Sequence, residues 1–157
     1  MAVALSVQEF LRCANVAYAV LPHPRNARVP DASVVGGSCR QWAKAVSCFG
    51  DGEPIQAVIP VDREVDLGRL AFLGGMTEVR LASDAELRWL YPDCERGAMP
   101  PLGPLYRQRV FVDRALASAQ DIAFNGGTYQ DAVVMRYEDF AAIVQPMVGF
   151  IAQYPRR

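Results

Sequence analysis

The sequence predicts an α+β fold: a mixed, curved or barrel-like β-sheet surrounded by short helices. Three observations carry this. Strand-length apolar runs are interspersed with short helical patterns, with none of the regular βα alternation of a doubly wound sheet. Capping and glycine signals punctuate the chain at short intervals, so no element is long. The 157 residues, 52% hydrophobic and 21% charged, fit one domain over 1–157 with a real core, and no repeat, low-complexity tract or linker divides them.

Taken in order, Ser6-Val7-Gln8-Glu9 reads as a capping box that opens a helix from Ser6 to about Ala17, with Phe10, Leu11, Ala14 and Ala17 on its apolar face. Residues 18–21 read as a short strand and 23–28 as a polar, proline-containing loop. Asp31 then caps a short helix ending at Gly36-Gly37. Residues 41–49 and 55–59 are strands joined by a Gly50-Asp51-Gly52 hairpin. A short helix over 66–73 stops at Gly74-Gly75, and 78–81 is a strand. Ser83-Asp84-Ala85-Glu86 is a second capping box, for a helix to about Leu90. Residues 110–112, 121–124 and 132–136 are strands, and 137–144 is a helix ended by Pro146. The longest irregular stretch, 91–107, is rich in proline and glycine, and long loops in compact domains often carry function.

Composition excludes several classes. No apolar run approaches the roughly 20 residues that span a bilayer. The first residues lack a basic segment and an apolar stretch of signal-peptide length, so a cytoplasmic location is expected. Net charge is −1 and the pI about 5.8. That argues against broad binding to nucleic-acid backbone, though not against an enzyme that touches one end of an RNA. Cys13, Cys39, Cys48 and Cys94 form no CxxC pair and His23 is the only histidine, so neither a disulfide framework nor a metal site is expected.

Of the sixteen basic residues fifteen are arginine, and the only lysine is Lys44. In an extended strand Lys44 shares a face with Trp42, Val46 and Cys48. Both faces of that strand are largely apolar, where an ammonium is out of pattern. A compact point charge at a functional site and a strand-edge lysine with its head in water weigh about evenly on spacing alone. The loop Gly97-Ala98-Met99-Pro100-Pro101-Leu102-Gly103 can bring its backbone close to a ligand and aim amides at a carbonyl oxygen, but proline and glycine also mark ordinary connections. Asn125-Gly126-Gly127-Thr128-Tyr129 reads as a tight turn or bulge. There is no GxSxG elbow to partner His23 in a Ser-His-Asp arrangement. The pairs Arg25/Arg28, Arg107/Arg109 and Arg156/Arg157 read as solvated, with one or two available to phosphate.

These segments, in this order, resemble a YbaK/EbsC domain. The resemblance is carried by Ala43-Lys44-Ala45-Val46, Val58-Ile59-Pro60, Asp66-Leu67-x-x-Leu70, the loop from Gly97 to Gly103, Val110-Phe111-Val112-Asp113, and Phe124-Asn125-Gly126-Gly127-Thr128. It covers about 18–144 and is closest to the free-standing members, with no synthetase flanking it. It implies an α+β fold and trans-editing: hydrolysis of the ester that joins an incorrect amino acid to tRNA. It carries the family's lysine to Lys44, its GxxxP loop to Gly97 and Pro101, and its second glycine turn to Gly126 and Gly127. Two positions depart: Ala45 stands where relatives often have a hydroxyl residue, and Tyr129 where many have histidine.

On this basis Lys44, Gly97, Ala98, Met99 and Pro101 are expected to be catalytic. Tyr18, His23, Pro100, Gly103, Gly126, Gly127 and Tyr129 are expected to contact substrate. No cofactor, metal or covalent nucleophile is expected: the loop amides polarise the ester carbonyl, Lys44 anchors phosphate or ribose or stabilises developing charge, and a tight pocket admits small amino acids such as Ala, Ser, Thr or Cys. The expected partners are the acceptor end of a mischarged tRNA and an aminoacyl-tRNA synthetase. A non-catalytic tRNA- or protein-binding module of the same fold is the alternative. A small-molecule esterase would need a nucleophile or strong base that the sequence does not offer.

Overall fold

The computed structural model describes residues 3–22 and 40–155. His23, the loop expected over 23–28 and the helix expected after Asp31 lie outside the described residues. The central strand is β2 (Arg40–Gly50), an eleven-residue run rich in apolar side chains. It turns into β3 (Glu53–Pro60) through Asp51 and Gly52, whose φ values of 49° and 86° are the left-handed pair that a two-residue hairpin demands. Around this hairpin the sheet adds β1 (Ala19–Pro22), β5 (Val79–Leu81), β6 (Arg109–Asp113), β7 (Asp121–Asn125), β8 (Asp131–Arg136) and β9 (Met147–Gly149). The strand order is β1-β8-β7-β2-β3-β6-β9, with β5 also paired to β2. The β2–β7, β3–β6 and β6–β9 pairs are parallel and the others antiparallel, so the sheet is mixed as expected. A small ribbon of β4 (Glu64–Val65) and β10 (Ala152–Gln153) lies apart from it.

Among the described residues there are five short helices: α1 (Leu5–Cys13), α2 (Leu67–Gly74), α3 (Asp84–Leu90), α4 (Arg114–Ala117) and α5 (Tyr137–Val144). A 3₁₀ turn over Gly103–Tyr106 precedes β6. Ser83 and Glu86 close the capping box expected at α3. The box expected at Ser6 does not form. Helix α1 starts at Leu5 with Ala4 at its N-cap, and the Ser6 hydroxyl instead hydrogen-bonds the Asp93 carboxylate. The helix also ends at Cys13 rather than near Ala17, because Asn15 takes a left-handed φ of 56°. A tertiary partner thus overrides a local capping signal.

The sheet is covered on both faces, which is why β3 is apolar at nearly every position. One face presents Ala43, Val58, Val110, Val112, Ile122, Phe124, Val133 and Met135 to α1, α5 and Leu102. The same face of β2 continues through Ala45, which packs with Tyr91 and Met99. The reverse face presents Cys48, Ile55, Ala57, Ile59 and Phe111 to Leu70 of α2 and to Ile151, with Val46, Val65 and Ala152 packed on the same cluster. Trp42, Ala123, Ala132 and Val134 extend that reverse face past β2.

Candidate active site

The outer edge of β2 changes partner midway. It pairs with β7 through Arg40, Gln41 and Trp42 and with β5 through Cys48, Phe49 and Gly50. Between these ladders no strand of the described residues lies beside the edge. The Trp42 carbonyl accepts from the Val61 amide at 3.1 Å and the Ser47 carbonyl accepts from the Ala82 amide at 3.0 Å. Even-numbered residues therefore direct their backbone groups to β3 and odd-numbered ones outward. Ala45, only 8% exposed, turns its N–H and C=O into this gap with no strand partner among the described residues. A buried backbone pair left open in mid-sheet is uncommon and marks a place where something else approaches.

The Gly97 loop and the Gly126–Gly127 turn, separate in sequence, meet here. The Gly127 amide donates to the Ala98 carbonyl at 2.9 Å, and the Glu95 amide donates to the Gly127 carbonyl at 2.7 Å. The Ala4 amide fixes the turn from behind by donating to the Gly126 carbonyl at 2.8 Å. Tyr129 closes the junction, its hydroxyl donating to the Arg96 carbonyl at 2.6 Å. Gly97 has φ 82° and a Cβ there would lie 2.2 Å from the Tyr129 hydroxyl, so both backbone and space require glycine.

The loop does not offer all its amides to a ligand. The Ala98 amide donates to the Glu95 carbonyl at 3.0 Å, and Pro100 and Pro101 have none. Those of Gly97 and Met99 have no acceptor among the described residues. Ala98, Met99, Pro100 and Pro101 are buried while Gly97 is exposed. Beside them lies a hollow of about 280 Å³ lined by Leu87, Tyr91, Cys94, Gly97 and Met99, among others.

A buried polar network that the sequence reading did not single out holds this loop. Gln56 of β3 is wholly buried and donates to the Pro100 carbonyl at 3.0 Å. Its amide also reaches the Tyr91 hydroxyl at 3.3 Å, and Tyr91 donates to the Gln108 side chain at 2.7 Å. The one polar residue within the 55–59 run was the available signal. Burial raises the Tyr91 hydroxyl pKa and pushes the Cys94 thiol up to about 12, so both stay protonated near neutral pH and Cys94 is not a thiolate nucleophile.

Lys44 leaves β2 on the reverse face. Its register partner is Ile59 and its same-face neighbour is Val46, whereas Met99 packs on Ala45 on the other side. The expectation that Lys44 shares one cleft with the Gly97–Pro101 loop and the Gly126–Gly127 turn is therefore not met: lysine and loop address one stretch of β2 from opposite faces. Lys44 is half-buried and forms no hydrogen bond or ion pair with the described residues. Desolvation lowers its pKa, while Glu64 and Asp62 act in the other direction.

The remaining expected residues divide. Gly103 closes the 3₁₀ turn, its carbonyl accepting from the Gln108 amide at 2.9 Å, and a Cβ would strike Val110 and the Gln108 backbone. Tyr18 packs with α1 against the first core face and lines a hollow with Leu5, Gln8 and Arg12 of that helix. Among the described residues no three of His, Cys, Asp and Glu converge as metal ligands would. No helix among them is long and apolar enough to cross a membrane.

Comparison with known proteins follows the same lines. The family profile described as an aminoacyl-tRNA editing domain matches residues 25–143. The multifunctional Ser/Thr-tRNA deacylase ProXp-y of Escherichia coli strain K12 is 33% identical over 121 residues, covering 73% of this chain and 72% of the relative. A crystal structure of a candidate trans-editing enzyme for prolyl tRNA synthetase superposes with a TM-score of 0.78 at 21% identity, covering 94% of this chain and 95% of that one. A second, of a hypothetical protein, gives 0.79 at 21% identity over 94% and 99%.

Proposed function

The chain belongs to the aminoacyl-tRNA editing domain family, and from that premise we propose a mechanism and a substrate for it. Its reaction is hydrolysis of the ester that joins a wrongly attached amino acid to tRNA. Water adds to the ester carbonyl, the bond to the ribose oxygen breaks, and that oxygen takes up the proton that water gives up. The products are a free amino acid and deacylated tRNA.

The amides of Gly97 and Met99, which have no acceptor among the described residues, polarise the carbonyl and hold the negative charge that develops on its oxygen. Lys44, on the reverse face of β2, supplies the cation for the terminal ribose or phosphate. The free hydroxyl beside the ester on the terminal ribose assists in orienting the water. The substrate is an ester of a small amino acid, with serine and threonine first, by analogy with the Escherichia coli relative's name. An aminoacyl-tRNA synthetase is the protein partner, by analogy with the structural neighbour's name.

One observation carries this reading: a half-buried lysine, the only one in the chain, has no hydrogen bond or ion pair among the described residues. An ammonium held like that has its solvation reduced, with only the nearby charges of Glu64 and Asp62 to offset it and no direct partner among the described residues, which suits a group that takes an anionic ligand. The test is a panel of alanyl-, seryl-, threonyl- and cysteinyl-tRNA at matched concentration. Seryl- or threonyl-tRNA should be hydrolysed well above the buffer rate. No acceleration on any of the four would overturn the reading.

A further inference from the structure

The face of β2 that carries Lys44 is bordered by the β4–β10 ribbon. Val65 and Ala152, which pair across that ribbon, pack into the same cluster as Val46 and Ile59, two neighbours of Lys44 in the sheet. The register runs on to Glu64 and Gln153, so Arg63 and Tyr154 flank its open end. These two side chains are joined. The Arg63 guanidinium lies 3.8 Å above the Tyr154 ring centre and donates to the Tyr154 hydroxyl at 2.8 Å. Asp62 pins the guanidinium from its other side by an ion pair of 2.6 Å. Asp62 and Glu64, on either side of Arg63, are also the carboxylates whose charge reaches Lys44.

Tyr154 is nevertheless 73% exposed. A large aromatic ring in water, with one side held by a fixed guanidinium, is a pre-ordered planar platform whose other surface is vacant. It lies on the side of the sheet that carries Lys44. Resting on the deacylase reading above, we propose that Tyr154, held by Arg63, stacks an unpaired base of the tRNA acceptor end and so sets the position of the terminal ribose relative to Lys44. Stacking on an aromatic side chain is indifferent to base identity, so the platform anchors the end of any tRNA and leaves discrimination to the amino-acid pocket. Arg63 is a positioning residue in this scheme. Its guanidinium is already engaged by Asp62 and the ring, and its task is to hold the ring.

The experiment compares wild type with Tyr154→Ala, Tyr154→Phe and Arg63→Lys. Three quantities are read: steady-state kcat and KM on the mischarged tRNA that wild type hydrolyses fastest, and the Kd for the same tRNA uncharged. Loss of one stacked base is worth roughly 5- to 150-fold, so Tyr154→Ala should raise KM and Kd within that range, with kcat changed by less than about twofold. Tyr154→Phe keeps the ring and should stay within about threefold of wild type. Arg63→Lys keeps the charge but loses the planar contact, and should fall between the two. Unchanged KM and Kd in Tyr154→Ala would overturn the proposal, as would a Tyr154→Phe as weak as the alanine variant. Failure of wild type to hydrolyse any mischarged tRNA is a separate result. It would overturn the deacylase reading, while a weaker Kd in Tyr154→Ala would still uphold the platform.

Discussion

Replacing Gly97 with alanine isolates the junction between the loop and the glycine turn. Two costs follow from the structure. Alanine at the left-handed φ of 82° costs about 1–2 kcal/mol in backbone strain. The new Cβ would also sit 2.2 Å from the Tyr129 hydroxyl, so Tyr129 must turn away and its bond to the Arg96 carbonyl is lost, at about 0.5–1.5 kcal/mol. The sum is about 1.5–3.5 kcal/mol, or roughly 3–14 °C in Tm for a chain of this length. The second cost depends on one oxygen atom. In a Tyr129→Phe background that atom is gone, and the ring carbon behind it stands at 3.5 Å, an ordinary contact. Gly97→Ala should then cost only the backbone part. Urea unfolding of the four proteins in this double-mutant cycle measures the coupling. An equal cost of Gly97→Ala in both backgrounds, or a cost within about 0.5 kcal/mol of zero in wild type, would refute the reasoning.

Lys44→Met removes the charge and keeps the length. Burial lowers the Lys44 pKa in the folded state, so between that value and 10.5 the unfolded chain binds more protons and stability rises with pH. The methionine variant should therefore be more stable than wild type at neutral pH, lose that advantage as pH climbs toward 10.5, and have lost deacylation, as thermal melts across pH and a rate assay would read. Lys44→Arg should also lose most activity, because a broad planar guanidinium does not substitute for a compact ammonium, and full activity would remove Lys44 from the mechanism. Gln56→Leu should cost about 1–3 kcal/mol by leaving the buried Pro100 carbonyl unsatisfied, and should lower kcat by loosening the loop, read by urea unfolding and single-turnover hydrolysis. Asp51 accepts hydrogen bonds from the Thr77 and Glu78 amides, which hold its pKa below the usual 3.8. Wild type should lose this support as pH falls through the lowered value, whereas the stability of Asp51→Asn should lack that acid-dependent step in melts from pH 5 to 2.

The strands and helices longest in residues were legible because their patterns are local: an apolar run over β2 and β3, a turn at Asp51-Gly52, a capping box at Ser83. What escaped was either too short to show a period or depended on distant contacts. Strands β4, β9 and β10 have two or three residues each, and α4 has four. Asp113 shows what orders that region instead. Its carboxylate accepts from the Ile151 and Ala152 amides, both at 2.9 Å, and from Ala115 at 3.1 Å, tying together segments 38 residues apart. In the site, Lys44 was legible from rarity and Gly97 and Gly127 from residue type. The Gln56–Pro100 bond spans 44 residues and left only one polar side chain in an apolar run as its trace.

The placement of the site follows from the path of β2. A strand that kept β7 along its whole outer edge would have satisfied the Ala45 backbone and left no gap. One that kept β5 would have done the same from the other end. Because β7 leaves after Trp42 and β5 arrives only at Cys48, a short opening remains in the ladder formed by the described residues. Met99 of the Gly97 loop packs on Ala45 beside the opening, and the lysine stands on the reverse side one residue away. Side-chain alternation thus separates the loop from the charge by the thickness of one strand, without any long-range coordination between them. That arrangement explains why Ala45 is small. A larger residue would push Met99, and with it the loop amides, away from the edge through which loop and lysine must act on the same ester. Ala45→Ser adds only a hydroxyl, whereas Ala45→Leu must displace Met99. The first should retain deacylation and the second should abolish it at little cost in kcat-independent tRNA binding, a split that equal losses in both variants would contradict.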